Sequence, residues 1–290
     1  MTDPKYICFN GEFRRAAESF LLTRNRAFLY GDALFENIHV FATEAQFLEY
    51  HFNRMINGTK LLFMEIPPWL TMGYLAQLIT QMLNRNRIFG GGCIRLTLYR
   101  DGGRMLTPEG NQTSFVMESL PLSHDYYVLN EKGLVADVCM DYHIPSGPLA
   151  GIKTTASLLY ILAAIYCARN HLDDAVLLND AGHVAASVRS NIFLVKDSSL
   201  FTPGLKEGCI PGVMREVILK FSSDAGIRIN DQISLTPAAL EDADEIFFTN
   251  AIEGIRWVGA LRHRRYFKKT ALLLTRILNE QAFSREAKNR

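Results

Sequence analysis

Apolar and polar positions alternate with a period of two through Ala33–Phe41 and again through Cys93–Tyr99, the signature of half-buried strands. Tyr6–Phe9 followed by Asn10-Gly11 predicts an early strand and a tight turn. Gln46–Tyr50 predicts another strand. From His51 to Leu62 the apolar positions fall three and four apart, which predicts a helix. Pro67-Pro68 predicts the start of a second helix running to about Arg87, stopped by Gly90-Gly91-Gly92. Ser114–Ser119 returns as a strand. Residues 120–127 lose periodicity and divide the chain into an N-terminal α+β domain, 1–119, and a C-terminal domain, 128–290, carrying Lys153.

Leu134–Met140 predicts the first strand of the second half, followed by a loop over Ile144–Ala150 and an apolar helical run over Ala156–Ala168. Ala175–Leu178, Val184–Ala185, Ile192–Val195 and Leu200–Thr202 read as short strands. Val213–Ala225 predicts a helix, Ile227–Gln232 a strand and Thr236-Pro237 a short helix. Glu245–Thr249 and Gly254–Leu261 read as strands before a closing helix, Lys268–Phe283. Short strands mixed with helices, without regular βαβ units, predict an α+β fold.

Composition narrows the function. With 48% hydrophobic and 21% charged residues, the 290-residue chain has the make-up of a soluble globular protein. A net charge of +1 gives no bulk attraction to nucleic acid or membrane. The 5 cysteines are spread along the chain and read as reduced core residues. No Cys-x-x-Cys or His-x-x-x-His pair predicts a metal site, and no apolar run reaches the roughly 20 residues that span a bilayer. The polar start, Met1-Thr-Asp-Pro-Lys, has no apolar leader core, so a cytoplasmic location is expected.

Candidate chemistry begins at Lys153, in Leu149-Ala150-Gly151-Ile152-Lys153-Thr154-Thr155. Most lysines are solvated. One set among small and apolar residues is pushed toward its neutral form, and a neutral amine attacks aldehydes. Arg54, in His51-Phe52-Asn53-Arg54-Met55, has the planar fork suited to phosphate, although a solvated helix residue is its ordinary reading. Gly212-Val213-Met214-Arg215 opens a helix after a turn, and free amides at such a start attract anions. Thr249-Asn250-Ala251-Ile252 ends a strand and offers another amide and short polar side chains. Aldehyde and phosphate on one molecule describe pyridoxal 5'-phosphate.

A resemblance agrees. Leu29-Tyr30-Gly31-Asp32-Ala33-Leu34-Phe35-Glu36 resembles the N-terminal signature of the class IV aminotransferase family, the fold type IV pyridoxal-phosphate enzymes. Glu49–Arg54, Gly151-Ile152-Lys153-Thr154, Ser190-Asn191-Ile192-Phe193, Thr202-Pro203, Glu207–Arg215 and Asp244–Phe247 follow in that family's order. The family includes branched-chain and D-amino acid aminotransferases and aminodeoxychorismate lyase. The resemblance implies a small α+β N-terminal domain and a larger C-terminal pseudo-barrel, with the cofactor between them. It also implies a homodimer whose partner subunit contributes to the pocket, acting on a small amino acid or amino-chorismate. Lys153 would be the lysine bonded to the cofactor and the proton shuttle. Arg54 and the amides of Val213 and Met214 would hold the phosphate, with Asn250, Ala251 and Ile252 completing the cradle.

One position departs from the family. The resemblance places a glutamate against the pyridine nitrogen, and Ala186 stands there. Without a carboxylate that nitrogen is largely unprotonated near neutral pH. Ser187 or a water is the remaining polar group for the contact. Met214 replaces a threonine usual in aminotransferases, and Asn250-Ala251 resembles the lyase pattern. These details favour lyase chemistry, giving pyruvate and the 4-aminobenzoate used in folate biosynthesis. The alternatives are a branched-chain or D-amino acid aminotransferase, and a homologue that binds the cofactor with little catalysis. On the substrate side the candidates are Tyr30, His39, Arg100 and Arg104.

Overall fold

The structure is a computed structural model that describes residues 5–18, 22–145 and 147–283; the polar segment read at residues 1–4 lies outside them. The chain divides into two compact units, Met1–Tyr126 with Lys153–Ala156, and Tyr127–Ile152 with Ser157–Arg290. This differs from the expected boundary in one respect that bears on function. The Lys153 segment packs with the N-terminal unit because it pairs with a strand there.

The first unit contains β1 (Tyr6–Phe9), β2 (Glu12–Arg15), α1 (Arg26–Tyr30), β3 (Ala33–Phe41), β4 (Glu44–Ala45), α2 (Leu48–Leu61), α3 (Met72–Asn86), β5 (Gly92–Arg100) and β6 (Thr113–Pro121). Its strands form an antiparallel sheet in the order β2-β1-β6-β5-β3-β4. One face of α3 carries Leu75, Leu78, Ile79, Met82 and Leu83, spaced as a helix stripe requires, against Ile38, Val40, Ile94, Leu96, Phe115 and Met117. Each such fully buried side chain contributes roughly 1.5–3 kcal/mol from burial.

Two expectations fail here for local reasons. Gln46–Tyr50 is not a strand: β4 stops at Ala45, Phe47 turns the chain with φ 52°, and α2 begins at Leu48. Pro67-Pro68 forms a turn closed by Leu70 N–H to Pro67 O, so α3 starts later. Its start is set by Thr71, whose hydroxyl accepts from Tyr74 N–H at 3.2 Å. The short helix α1 lies in a stretch that carries no helical period long enough to read. Asn25 caps it through Oδ1, and Gly31 ends it at φ 66°, where a side chain would also press on Ala156. α2 packs closely on β3 because Gly58 faces Leu34, whose Cδ1 would lie 3.0 Å from an added Cβ.

The second unit contains β7 (Leu134–Ile144), α4 (Leu158–Arg169), β8 (Asp174–Asn179), β9 (Val184–Ser187), β10 (Asn191–Lys196), β11 (Ser199–Pro203), α5 (Val213–Asp224), β12 (Arg228–Ile233), α6 (Pro237–Asp242), β13 (Glu245–Asn250), β14 (Gly254–Leu261), β15 (Arg264–Arg265) and α7 (Lys269–Phe283). Its mixed sheet runs β12-β11-β10-β13-β14-β7-β8-β9, with β15 on β14. Val138, Val176, Val184, Ile192, Leu194, Ile246, Phe248 and Val258 form its core. Glu245 caps α7, its carboxylate accepting from the N–H groups of Thr270 and Ala271. No helix among the described residues is long and apolar enough to cross a membrane.

Candidate functional site

Residues 153–156 are extended and run antiparallel to the start of β3. Phe35 N–H donates to Lys153 O at 3.2 Å and Thr155 N–H to Ala33 O at 3.0 Å, with Leu34 and Thr154 bridged between them. Thr155 Oγ1 adds a bond to Gly31 O at 3.1 Å. The backbone of Lys153 is therefore fixed, and its Nζ lies 4.0 Å from the centre of the Phe35 ring. Burial, followed by the charges of Arg54 and Arg95, lowers the amine from 10.5 to about 8, against an opposing pull from Glu36. About a tenth of such an amine is neutral at pH 7, far more than for a solvated lysine.

Beneath this segment lies a closed ionic group. Glu36 sits in the core-facing row of β3 with Leu34, Ile38 and Val40 and is 4% exposed. Arg54 grips its carboxylate through Nε, at 2.8 Å, and Nη2. His51 Nδ1 lies 2.7 Å from Oε2. Burial alone would raise the Glu36 carboxyl, but the Arg54 charge and the hydrogen bonds from His51 and Arg54 outweigh it and hold it at about 2. Burial pushes His51 down, with Arg54 and Lys153 adding to the fall against Glu36. A neutral ring facing an ionised carboxylate must carry its proton on Nδ1. His51 and Arg54 stand three residues apart, on one face of α2.

Arg95 is a site residue that the strand pattern concealed. It projects from β5, opposite Asn37, and its guanidinium carbon lies 4.4 Å from the Phe35 ring centre. One ring thus contacts both Arg95 and Lys153. In sequence Arg95 is simply the polar member of an alternating strand, and only the register of β3 with β5 brings it to Lys153.

In the second unit, the turn before α5 is built around Asn191. Its Nδ2 donates to Ile210 O at 2.8 Å, while its Oδ1 would lie 1.9 Å from any Cβ at Gly212. Glycine is therefore required where α5 begins. The amides of Val213 and Met214 occupy the helix start, where N–H groups and the helix dipole attract an anion. Arg215 turns elsewhere and donates to Pro203 O and Asp231 O, each at 3.1 Å. Thr249 pairs with Asn191 across β13 and β10, so their side chains share a face. Its Oγ1 is buried with no hydrogen-bond partner among the described residues. Asn250 accepts on Oδ1 from the N–H groups of Ile252 and Glu253 and donates from Nδ2 to Ser190 and Glu253. The Ile252 amide is thus committed within its own turn rather than to a cradle, and Ala251 carries no polar side chain.

Ala186 on β9 pairs with Leu177 and belongs to an apolar cluster with Cys139, Ala163 and Cys167. Ser187 does not substitute for a carboxylate there. Its hydroxyl donates to Asp174 at 3.1 Å, and neighbouring residues of a strand point to opposite faces. Burial raises Asp174 to about 6, opposed by its hydrogen bonds from Ala175, Ser187 and Val188.

The substrate-side candidates separate. Arg100 is buried, with Nε on Asp32 at 3.0 Å, Nη2 on Leu62 O at 2.7 Å and Nη1 on Asn111 at 2.5 Å. Asp32 is also held by Arg26 at 2.8 Å, so Arg100 serves the fold and the expectation of substrate contact is corrected. His39 is 1% exposed, and burial lowers it to about 4 against the charge of Asp125. It lies four residues, or about 13 Å, along β3 from Phe35, which removes it from the Lys153 group. The Tyr30 hydroxyl donates to Arg104 O, and the Arg104 side chain is exposed on the loop between β5 and β6.

One unit thus holds a fixed amine with a lowered pKa, and the other an uncapped helix start together with a buried hydroxyl that has no hydrogen-bond partner among the described residues. Comparison with known proteins defines the class further. The family described as Amino-transferase class IV matches residues 33–261. A Methanocaldococcus jannaschii protein provisionally named a branched-chain-amino-acid aminotransferase is 29% identical over 279 residues, covering 95% of this chain and 94% of that one. Aminodeoxychorismate lyase of Vibrio harveyi is 28% identical over 241 residues, covering 82% and 86%. A branched-chain aminotransferase of Thermoproteus uzoniensis, solved with norvaline, superposes with TM-score 0.88 at 23% identity, covering 98% and 97%.

The chain belongs to the class IV aminotransferase family and has the fold of the type IV pyridoxal-phosphate enzymes. It is a pyridoxal-phosphate-dependent enzyme, as the family implies.

The lowered amine gives a direct expectation for the cofactor-free protein. Below about pH 8 Lys153 is mostly protonated and unreactive; above it the neutral form dominates. The rate of imine formation with a simple aromatic aldehyde at this residue should rise with a midpoint near 8. A midpoint near 10.5, that of an ordinary lysine, would contradict the described environment.

Proposed function

We propose that the protein transfers amino groups between branched-chain amino acids and 2-oxoglutarate, with Lys153 as the catalytic residue. The observation that carries this reading is the fixed, half-buried Lys153 amine beside the Glu36–His51–Arg54 group. The whole-chain likeness to the archaeal branched-chain relative favours transamination over the lyase chemistry that the sequence details suggested.

The residues suit the cofactor. Arg54 and the Val213 and Met214 amides would hold its phosphate, with Thr249, Asn250 and Ala251 at the adjoining strand end. When bound, pyridoxal 5'-phosphate supplies an electron sink for the substrate's reacting carbon. Lys153 would take and return the proton at that carbon through Nζ, a role that needs an amine neutral for part of the time near pH 7. Arg95, exposed beside Phe35, offers a fork for a substrate carboxylate, and Arg104, on the loop after β5, and Tyr30, at the end of α1, remain further candidates for substrate contact.

Ala186 leaves the pyridine nitrogen without an acidic partner, which weakens the electron sink. Slow turnover follows from this. The lyase reading retains one specific support, because neither Met214 nor Ala251 offers a hydroxyl to phosphate.

We include a homodimer in this reading. Leu158, Ile161 and Ile165 form an exposed apolar row on α4, at 68%, 54% and 42% exposure, of the kind a second copy covers. Sedimentation should give about twice the 32.8 kDa chain mass, and a monomer at micromolar concentration would refute the dimer.

With cofactor present, leucine, isoleucine or valine plus 2-oxoglutarate should yield glutamate, and aminodeoxychorismate should release no pyruvate. Ala186→Glu should raise glutamate formation at least about tenfold. Pyruvate release without glutamate would replace this reading with the lyase, and neither product would leave a cofactor-binding homologue.

A further inference from the structure

Glu36 is an anomaly of its strand. The core-facing row of β3 reads Leu34, Glu36, Ile38, Val40, and each of the four is at most 4% exposed. An ionised carboxylate in such a row carries a large desolvation cost, and apolar replacement of buried ion pairs is often neutral or stabilising. Stability alone therefore gives a poor account of this group, and its geometry gives a better one.

Every described side-chain partner of the carboxylate comes from one face of α2. Arg54 donates through Nε and Nη2, the edge of the guanidinium that matches a carboxylate, so its plane and direction are fixed. His51 Nδ1 holds Oε2 at 2.7 Å and so fixes the carboxylate in turn. The close seat of Gly58 on Leu34 sets α2 at the height where both can reach Glu36. Lys153 lies over Phe35, the next residue of the strand, and its amine feels Arg54 and Arg95 as cations and Glu36 as an opposing carboxylate. Removing that carboxylate would take away the two bonds that orient the Arg54 fork and the negative charge that opposes Arg54 and Arg95 at Lys153.

We propose that Glu36, braced by His51, is a positioning residue that aims the Arg54 guanidinium at the cofactor phosphate and balances the charge around the Lys153 amine. This rests on the reading of Lys153 and Arg54 as cofactor residues. It adds that the phosphate grip depends on a carboxylate that touches neither cofactor nor substrate.

The test compares two aldehydes, pyridoxal 5'-phosphate and pyridoxal, which lacks the phosphate. Binding of each is followed by absorbance, with circular dichroism as a check of folding. Glu36→Gln should weaken pyridoxal 5'-phosphate at least about tenfold while changing pyridoxal much less. It should also move the pH midpoint of pyridoxal binding below the wild-type value, because the charge that favours the protonated amine is gone. Arg54→Lys, which keeps the charge but loses the fork, should lower the preference for the phosphorylated aldehyde similarly. If Glu36→Gln fails to fold, Glu36→Asp, which keeps the charge but withdraws it from the Arg54 fork, decides the matter by the same loss of preference for the phosphorylated aldehyde.

Equal weakening of both aldehydes, or an unchanged preference in a folded variant, would overturn the proposal while leaving Lys153 as the cofactor residue. Failure of the wild type to bind either aldehyde would overturn the cofactor reading and this proposal with it.

Discussion

A single buried carboxylate organises the first unit around Lys153. Glu36 lies in an apolar row of β3, where an unpaired charge would not be tolerated, so α2 must bring it partners. It does so because Gly58 admits close packing on Leu34 and because His51 and Arg54 share one helical face. The same strand, one residue back, presents Phe35 on its other face. There the backbone of residues 153–156 pairs with β3 and lays the Lys153 amine over the ring. The core of the unit and the chemistry of its lysine therefore depend on one strand.

The second unit solves a different problem with neutral groups. Asn191 binds the turn carbonyl of Ile210 and stands against Gly212 so closely that no side chain fits there. That packing leaves the backbone N–H groups at the start of α5 available to an anion without competition from a capping side chain. Thr249, on the same face as Asn191, is the hydroxyl in position to join them. Ala186, by contrast, sits in an apolar cluster, and the neighbouring Ser187 is a neutral hydroxyl bonded to Asp174.

Much of this was legible in the sequence, and the reasons are local. Strands with clean alternation, such as Ala33–Phe41 and Cys93–Tyr99, occur within about a residue of their predicted bounds because one face is core. Gln46–Tyr50 misled because a β-rich composition continued past a left-handed turn at Phe47 that no residue type advertises. Lys153 and the Gly212 turn stood out because unusual residues sat in unusual company. Arg95 was invisible because it is an ordinary strand residue, placed by cross-strand register alone, whereas Thr249 stood in a strand end already read as a candidate and the register added only its shared face with Asn191. Arg100 misled for the opposite reason: its charge suggested a ligand, but Asp32 and three carbonyl or amide oxygens from Leu62, Phe63 and Asn111 already claim it.

The central claim is that Lys153 carries the cofactor. Reduction of the pyridoxal-phosphate-loaded protein with borohydride, followed by peptide mass mapping, tests it directly. The account predicts a stable phosphopyridoxyl adduct on the peptide containing Lys153 and on no other. An adduct spread over surface lysines, or one confined to a peptide without Lys153, would contradict it.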